Sequence, residues 1–172
     1  WRQRIENLSL FAEPWLAHQH RDGYWRQCSV NEDYSAIEAA VYAVGGWADA
    51  YSNAIPRLVS HLKAPAKALI GPWGHAYPHV ATPGPDFDFL NEARRWWDHW
   101  LKDIDTGIMA EDPIHAWLDH GSRPSAVSGE RQGTWLALRS WPDAALRSRR
   151  LHLGAAGLSA APQPKSELLV NS

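Results

Sequence analysis

Two apolar runs, each followed by glycine and tryptophan, constrain the fold of this chain most. The first, Ala39–Val44, leads into GGWAD, and the second, Ala66–Ile70, leads into GPWGH. Such short runs are typical of strands that are buried on both faces of a parallel sheet. Asn53–Leu62 lies between them and predicts a helix with Pro56 in its first turn. Strand, helix and strand in this order predict an α/β fold with a parallel sheet.

Helical spacing marks two further regions. Between Trp1 and His20 the apolar residues recur at helical spacing, and Pro14 divides the region into two predicted helices, because it suits the first turn of the second. Phe87–Leu101 predicts an amphipathic helix, since its apolar residues share one face. That face consists of Leu90, Ala93, Trp97, Trp100 and Leu101.

The character of the sequence changes after Pro113. Short strand candidates follow, separated by Gly, Ser and Pro clusters and without a strong helix pattern between them: Ile114–Leu118, Thr134–Leu138 and Leu151–Leu153. Short strands with such turn residues are typical of all-β domains. We therefore expect a second, β-rich domain to begin at about this point.

Each of the two apolar strands delivers a titratable residue just beyond its glycine. Asp49 follows the first strand, and His75 follows the second, 26 residues later. In open α/β sheets, ligand sites form at the carboxyl ends of the strands, where glycine permits a sharp exit. One helix and one strand fit between the two residues, so we expect them on adjacent or near-adjacent strands. A carboxylate that orients an imidazole forms two-thirds of a nucleophile–histidine–acid system.

Simpler roles for these residues stay open at this point. Asp49 alone is more typical of a turn or a helix N-cap, and His75 alone is more often a hydrogen-bonded loop histidine. His75 and His79 have the spacing of a zinc pair on a helix. Pro78, together with Pro72, excludes a regular helix there, so no metal site is predicted.

The nucleophile of such a system is missing from the sequence. In α/β-hydrolases the order is Ser, Asp, His, and the serine lies in a G-x-S-x-G motif. Asp49 precedes His75 as this order requires, but no G-x-S-x-G occurs in the 172 residues. Cys28 has no glycine elbow and no obvious local base, so it is predicted to be a small core residue. The serines before Asp49 also lack flanking glycines: Ser9, Ser29 and Ser35.

Longer stretches of the chain resemble a known family. GGWAD, GPWGH and FLNEARRWWDHWLK, with the residues around them, resemble the C-terminal half of the CocE/NonD hydrolases. This is the family of cocaine esterase, and it is related to the Xaa-Pro dipeptidyl-peptidases. The likeness covers most of Trp1–Leu118, and GGWAD and GPWGH are its most specific parts. The resemblance implies that Asp49 is the acid and His75 the base of a catalytic triad.

The resemblance also implies a domain organisation and an activity. Residues 1–30 would be the end of a helical cap, 31–112 the C-terminal portion of an α/β-hydrolase domain, and 113–172 the truncated beginning of a jelly-roll domain. The implied activity is hydrolysis of an acyl ester or an Xaa-Pro peptide bond through an acyl-enzyme. The serine would lie upstream of Trp1, so the isolated chain is expected to be inactive. The alternative is a non-catalytic fragment or an oligomerising or interaction domain derived from such a hydrolase.

Composition narrows the expected partners. A formal net charge of -2 gives no electrostatic reason to expect nucleic acid or an anionic membrane. No run of about 18 apolar residues is present to span a bilayer. The single cysteine excludes an internal disulfide and fits a reducing, cytoplasmic compartment. We expect a small ester or peptide substrate, no cofactor, and as protein partner either a second copy or the missing N-terminal half.

Overall fold

A four-stranded mixed sheet organises the first of two compact units, Trp1–Trp141. The computed structural model describes residues 1–121, 123, 129–154 and 157–162. The strands lie in the order in which they follow along the chain, the first three parallel and the fourth antiparallel to the third: β1 (Val41–Gly46), β2 (Ala66–Gly71), β3 (Ile114–Asp119) and β4 (Gly133–Leu138).

The register of β1 and β2 brings their carboxyl ends to the same level. Val41 lies opposite Ala66 at one end, and Gly46 lies opposite Gly71 at the other. The two Gly-Trp exits therefore begin side by side. Both strands were predicted from their apolar runs, and the structure confirms them as a parallel pair.

The sheet buries apolar side chains on both faces, since successive strand residues point to opposite sides. On one face, Ala68, Ile70, Ile114 and Ala116 are buried together, and side chains of α4 (Ala54–Val59) pack against them. On the other face, Leu69 and Trp73 are buried against Phe89, the first residue of α5. Burial on both faces explains why β2 is almost continuously apolar.

Helix α5 (Phe89–Lys102) confirms the predicted helix but buries a different face. The buried residues of α5 are Glu92, Trp96 and Asp98. The apolar face that the sequence pattern favoured is largely exposed, with Trp97 at 54% and Leu101 at 72%. Apolar periodicity does not locate the buried face, because Glu92 and Asp98 are buried through ion pairs that such a pattern does not detect.

The N-terminal region confirms the two predicted helices and adds a third. They are short and contain no buried residue: α1 (Arg2–Glu6), α2 (Ala12–Ala17) and α3 (Gly23–Arg26). Pro14 lies in the first turn of α2, as expected. In the described part of the chain, no helix combines the length and apolar character that a membrane crossing requires.

The strand candidates after Pro113 lie in two different places. Strand β3 pairs in parallel with β2, Ala68 opposite Ile114, so the sheet continues across residue 113. The second compact unit, Pro142–Ser172, contains a hairpin of two antiparallel strands, β5 (His152–Gly154) and β6 (Gly157–Ser159). The assignment of 113–172 to a jelly roll stays a prediction.

Candidate active site

Asp49 lies in a tight turn at the exit of β1. The Asp49 amide donates to the Gly46 carbonyl at 3.2 Å, which closes the turn. A Cβ atom at Gly46 would collide with the carbonyl oxygen of Trp73. Only glycine therefore permits the exits of β1 and β2 to approach this closely.

Hydrogen bonds fix this turn to the neighbouring strands. The Trp47 amide donates to the Gly71 carbonyl at 2.9 Å, and the Ala48 amide donates to the Trp73 carbonyl at 3.0 Å. The Trp47 indole Nε1 donates to the Trp117 carbonyl at 2.7 Å. The turn that carries Asp49 is thus attached to the exit of β2 and to β3.

His75 lies on the loop that follows β2, just beyond a buried tryptophan. Trp73 is 1% exposed, and its indole Nε1 donates to the Pro85 carbonyl at 2.7 Å. The Gly74 amide donates to the Thr82 carbonyl at 2.9 Å, which fixes the loop on the other side. A rigid anchor therefore precedes an imidazole whose own side chain is 83% exposed.

The structure brings Asp49 and His75 together. His75 Nδ1 lies 2.8 Å from Asp49 Oδ2, and the Tyr51 amide donates to Asp49 Oδ1 at 2.8 Å. Both carboxylate oxygens are thus oriented, and the Asp49 side chain is only 12% exposed. Since a carboxylate accepts, Nδ1 carries the proton, and Nε2 is the nitrogen on the far side from Asp49.

The electrostatics of the pair favour an ionised acid. The backbone N–H of Tyr51 and, after it, the His75 imidazole hold the pKa of Asp49 below its ordinary value. Asp49 is therefore a carboxylate at neutral pH. It fixes the tautomer of His75 and would stabilise the imidazolium that forms when Nε2 accepts a proton.

A cleft of about 430 Å³ adjoins the pair. Apart from Asp49 and His75, its lining is apolar or aromatic, with Val44, Tyr77 and Phe89 among the residues that form it. A ligand in this cleft would lie beside the imidazole. The arrangement can therefore present a histidine base, oriented by a carboxylate, to a bound reactant.

The other candidate residues take separate positions. The His79 ring stacks on Phe89, with centroids 6.2 Å apart. Among the described residues, no group of three or more His, Cys, Asp or Glu could hold a metal ion. Cys28 is exposed, so the prediction that it is a core residue was wrong: it lies just after α3, in the N-terminal region whose helices bury no residue.

Sequence reasoning missed the groups that hold the pair in place. The Tyr51 amide has the carboxylate two residues before it as partner, a local pattern typical of aspartate in turns that could have been found. The bond between the Trp47 indole and the Trp117 carbonyl spans 70 residues, and no local signal indicates it.

Comparison with known proteins identifies the relationship. Residues 1–77, which include Asp49 and His75, match the model of the X-Pro dipeptidyl-peptidase (S15) family. Proteins named "Putative serine esterase" in Mycobacterium bovis and Mycobacterium tuberculosis are 33% identical to this chain over 126 residues. The predicted resemblance to the CocE/NonD and S15 hydrolases is confirmed. These alignments cover 69% of this chain and 17% of each mycobacterial protein.

Solved structures agree at the level of the fold. Two crystal structures of a CocE/NonD family hydrolase from Staphylococcus aureus superpose with TM-scores of 0.71 and 0.67, at 12% sequence identity. Each comparison covers 90% of this chain and 26% of the staphylococcal chain. The mixed sheet with its helices therefore resembles the CocE/NonD hydrolase fold, of which the chain spans about a quarter.

Proposed function

We propose that this chain supplies the acid and the base of the catalytic triad of a serine hydrolase. The observation that carries the proposal is the contact between Asp49 Oδ2 and His75 Nδ1, at the exits of two adjacent parallel strands. Both residues also lie within the segment that matches a peptidase family. A sheet with a purely structural role gives no reason to pair a carboxylate with an imidazole that stays exposed to solvent.

The chemistry follows from the orientation of the pair. A serine from elsewhere in the longer protein attacks the carbonyl of the substrate, and His75 Nε2 accepts its proton. The tetrahedral intermediate collapses to an acyl-enzyme as His75 returns the proton to the leaving group. Water then attacks the acyl-enzyme, with His75 again as the base, and the carboxylic acid product is released. Asp49 stays ionised throughout and stabilises the imidazolium.

The proposed substrates are small acyl esters or peptides with an Xaa-Pro bond. The matching relatives are named for both chemistries, an X-Pro dipeptidyl-peptidase family and serine esterases. Asp49 is followed by Ala50, Tyr51 and Ser52, so no carboxylate follows it directly to hold a substrate ammonium. That feature gives no support to substrates that are α-amino acid esters.

The proposed domain organisation follows the same family. Residues 1–30 are assigned to the end of a cap, 31–112 to the hydrolase domain and 113–172 to the beginning of a jelly roll. The parallel pairing of β2 with β3 favours extending the hydrolase portion beyond residue 113, to the end of the compact unit at Trp141.

Substitution of the pair in the longer protein tests the proposal. Asp49→Asn and His75→Ala should each lower kcat with an ester substrate by about 10³–10⁴-fold, because one fixes the wrong tautomer and the other removes the base. His79→Ala is the matched control on the same loop and should stay within a few-fold of the wild type. Near-normal turnover of either pair variant, with the fold intact by circular dichroism, would refute the assignment.

The isolated chain gives an independent test of the nucleophile. It contains the pair but no G-x-S-x-G motif. A fluorophosphonate probe, which labels activated serines, should leave the 172-residue chain unlabelled by intact mass. A single labelled serine that is lost in His75→Ala would show that this chain carries its own nucleophile.

A non-catalytic interaction domain is the second candidate function. The exposed apolar face of α5, including Trp97 and Leu101, favours it. In that case Asp49→Asn and His75→Ala would leave the function of the longer protein unchanged, while charged residues on α5 would abolish it. The two candidates therefore predict opposite sensitivities.

A further inference from the structure

Trp47 contacts three strands at the point where the sheet ends. It follows directly after β1, its amide donates to Gly71 of β2 at 2.9 Å, and its indole donates to Trp117 of β3 at 2.7 Å. The register of β2 with β3 ends at Ala116, one residue before Trp117. The indole N–H therefore supplies a donor to the Trp117 carbonyl beyond the end of the β2–β3 ladder.

The indole hydrogen bond attaches the turn to β3, whereas the backbone hydrogen bonds from Trp47 and Ala48 attach it only to the exit of β2. The bonds from Trp47 to Gly71 and from Ala48 to Trp73 both attach the turn to the exit of β2. Two attachments along one segment oppose rotation of the turn about the line that joins them only weakly. The indole reaches past β2 to β3, so its bond opposes that rotation. The indole also lies near Trp141, with ring centroids 6.3 Å apart.

Rotation of the turn would separate the pair, because Asp49 follows Trp47 by only two residues. We infer that Trp47 is a positioning residue: its indole, anchored on β3, holds the turn so that the Asp49 carboxylate stays on His75 Nδ1. The inference rests on the proposed function for its catalytic consequence. The geometry that it asserts is measurable in the 172-residue chain, without the nucleophile.

The tautomer of His75 is the readout. A carboxylate on Nδ1 favours the tautomer that carries its proton there, whereas an unpaired imidazole has no such bias. The ¹⁵N shifts of the two ring nitrogens give the tautomer ratio in a histidine-labelled chain at alkaline pH, where imidazoles are neutral. His75→Gln identifies the signals. Asp49→Ala sets the ratio for a ring without its partner.

Trp47→Phe is the test variant, because it keeps an aromatic ring and removes the N–H donor. The ratio of the Nδ1–H to the Nε2–H tautomer should fall about tenfold, toward that of Asp49→Ala, as expected when a hydrogen bond that holds the turn is lost. Trp97→Phe is the matched control, since Trp97 is exposed on α5, and it should keep the wild-type ratio. Loss of fold stability alone would change the melting temperature but not this ratio.

If Trp47→Phe fails to fold, benzothienylalanine at position 47 replaces it. This isostere of tryptophan keeps the size of the ring and lacks the N–H. A wild-type ratio in the folded variant would overturn the role of Trp47 while leaving the proposed pair intact. A wild-type chain whose ratio already equals that of Asp49→Ala would overturn the pair itself, and with it both proposals.

Discussion

At the scale of single residues, backbone groups decide the geometry of the site as much as the titratable side chains do. Asp49 is oriented by the Tyr51 amide on one oxygen and by His75 on the other. The loops that carry the pair meet because Gly46 has no side chain. A site built in this way should respond to substitutions that never touch its charges.

Gly46→Ala should therefore disrupt the pair without altering it chemically. The added methyl group meets the Trp73 carbonyl, which is backbone and cannot rotate away. We expect the free energy of unfolding in urea to fall by about 1–3 kcal/mol. Gly23→Ala is the control, because nothing lies within 4 Å of a Cβ there and alanine suits the helix α3. Equal stability of the two variants would show that the exits of β1 and β2 are further apart than described.

The residues of the pair could be predicted, whereas the support that comes from β3 could not. Asp49 and His75 follow from a repeated local pattern, an apolar strand that ends in glycine and tryptophan. The Trp47 indole and the Trp117 carbonyl belong to segments that meet only after the sheet has formed. A pattern within a short window contains no information about such a contact.

At the scale of elements, helix α5 shows where periodicity fails. Its position was predicted, but its buried face was not. Trp96 is buried against Tyr42, with ring centroids 5.2 Å apart, while Trp97 faces outward. A hydrophobicity scale gives two adjacent tryptophans the same value, so it does not indicate which of them is buried. The contact with Tyr42 on β1 decides this.

A charged network attaches α5 to the sheet and explains the burial of its polar residues. The Tyr42 hydroxyl donates to Glu92 at 2.8 Å, and Arg95 donates to Glu92 at 2.8 Å and to Glu111. Lys67, 1% exposed on β2, donates to Glu111 at 3.1 Å. The lysine within the apolar run of β2 therefore has a carboxylate partner, as a buried charge requires.

Glu111→Gln should destabilise the fold in a pH-dependent way. Burial raises the pKa of Glu111, but hydrogen bonds from Arg95 and Lys67 outweigh burial and hold the pKa below its ordinary value of 4.5. A depressed pKa gives stability that is present above 4.5 and is lost as the pH falls through the folded value. We expect the free energy of unfolding to fall by about 1–3 kcal/mol at neutral pH, an amount limited by the partial exposure of Glu111. In acid the difference from the wild type should be smaller.

Urea unfolding across this pH range measures the difference between Glu111→Gln and the wild type. Glu6→Gln is the control, since its pair with Arg2 is exposed and should contribute at most about 0.5 kcal/mol. If the difference in free energy of unfolding between Glu111→Gln and the wild type stays constant as the pH falls, the effect does not come from the charge of the carboxylate.

At the scale of the whole molecule, the sequence predicted the α/β class but not where the sheet ends. The parallel pair β1–β2 followed from length and apolarity, whereas β3 was assigned to a later domain. Nothing in Ile114–Asp119 distinguishes a strand of a later β-rich domain from one that pairs with Ala68 and Ile70. The intervening helix α5 and its long loop were the available indication that a parallel crossover had occurred.

The surface of the chain carries apolar groups that a monomer would not keep exposed. Strand β1 is at the end of the strand order, and Leu90, Trp97 and Leu101 of α5 are each more than half exposed. Exposed apolar patches and free sheet edges favour association. We therefore predict that the 172-residue chain, of mass 19.3 kDa, self-associates at micromolar concentrations when it is produced alone.

Light scattering after size exclusion measures this prediction, because it gives mass without a shape assumption. The variant with Trp97→Glu and Leu101→Glu should shift toward the monomer mass, since two carboxylates would have to be buried at the interface. The control carries the same added charge at exposed polar positions, Asn91→Glu and Ser60→Glu, and should associate like the wild type. Association that is equal in both variants would exclude the α5 face as the contact. In that event the edge of β1, the end strand of the described sheet, becomes the surface to test.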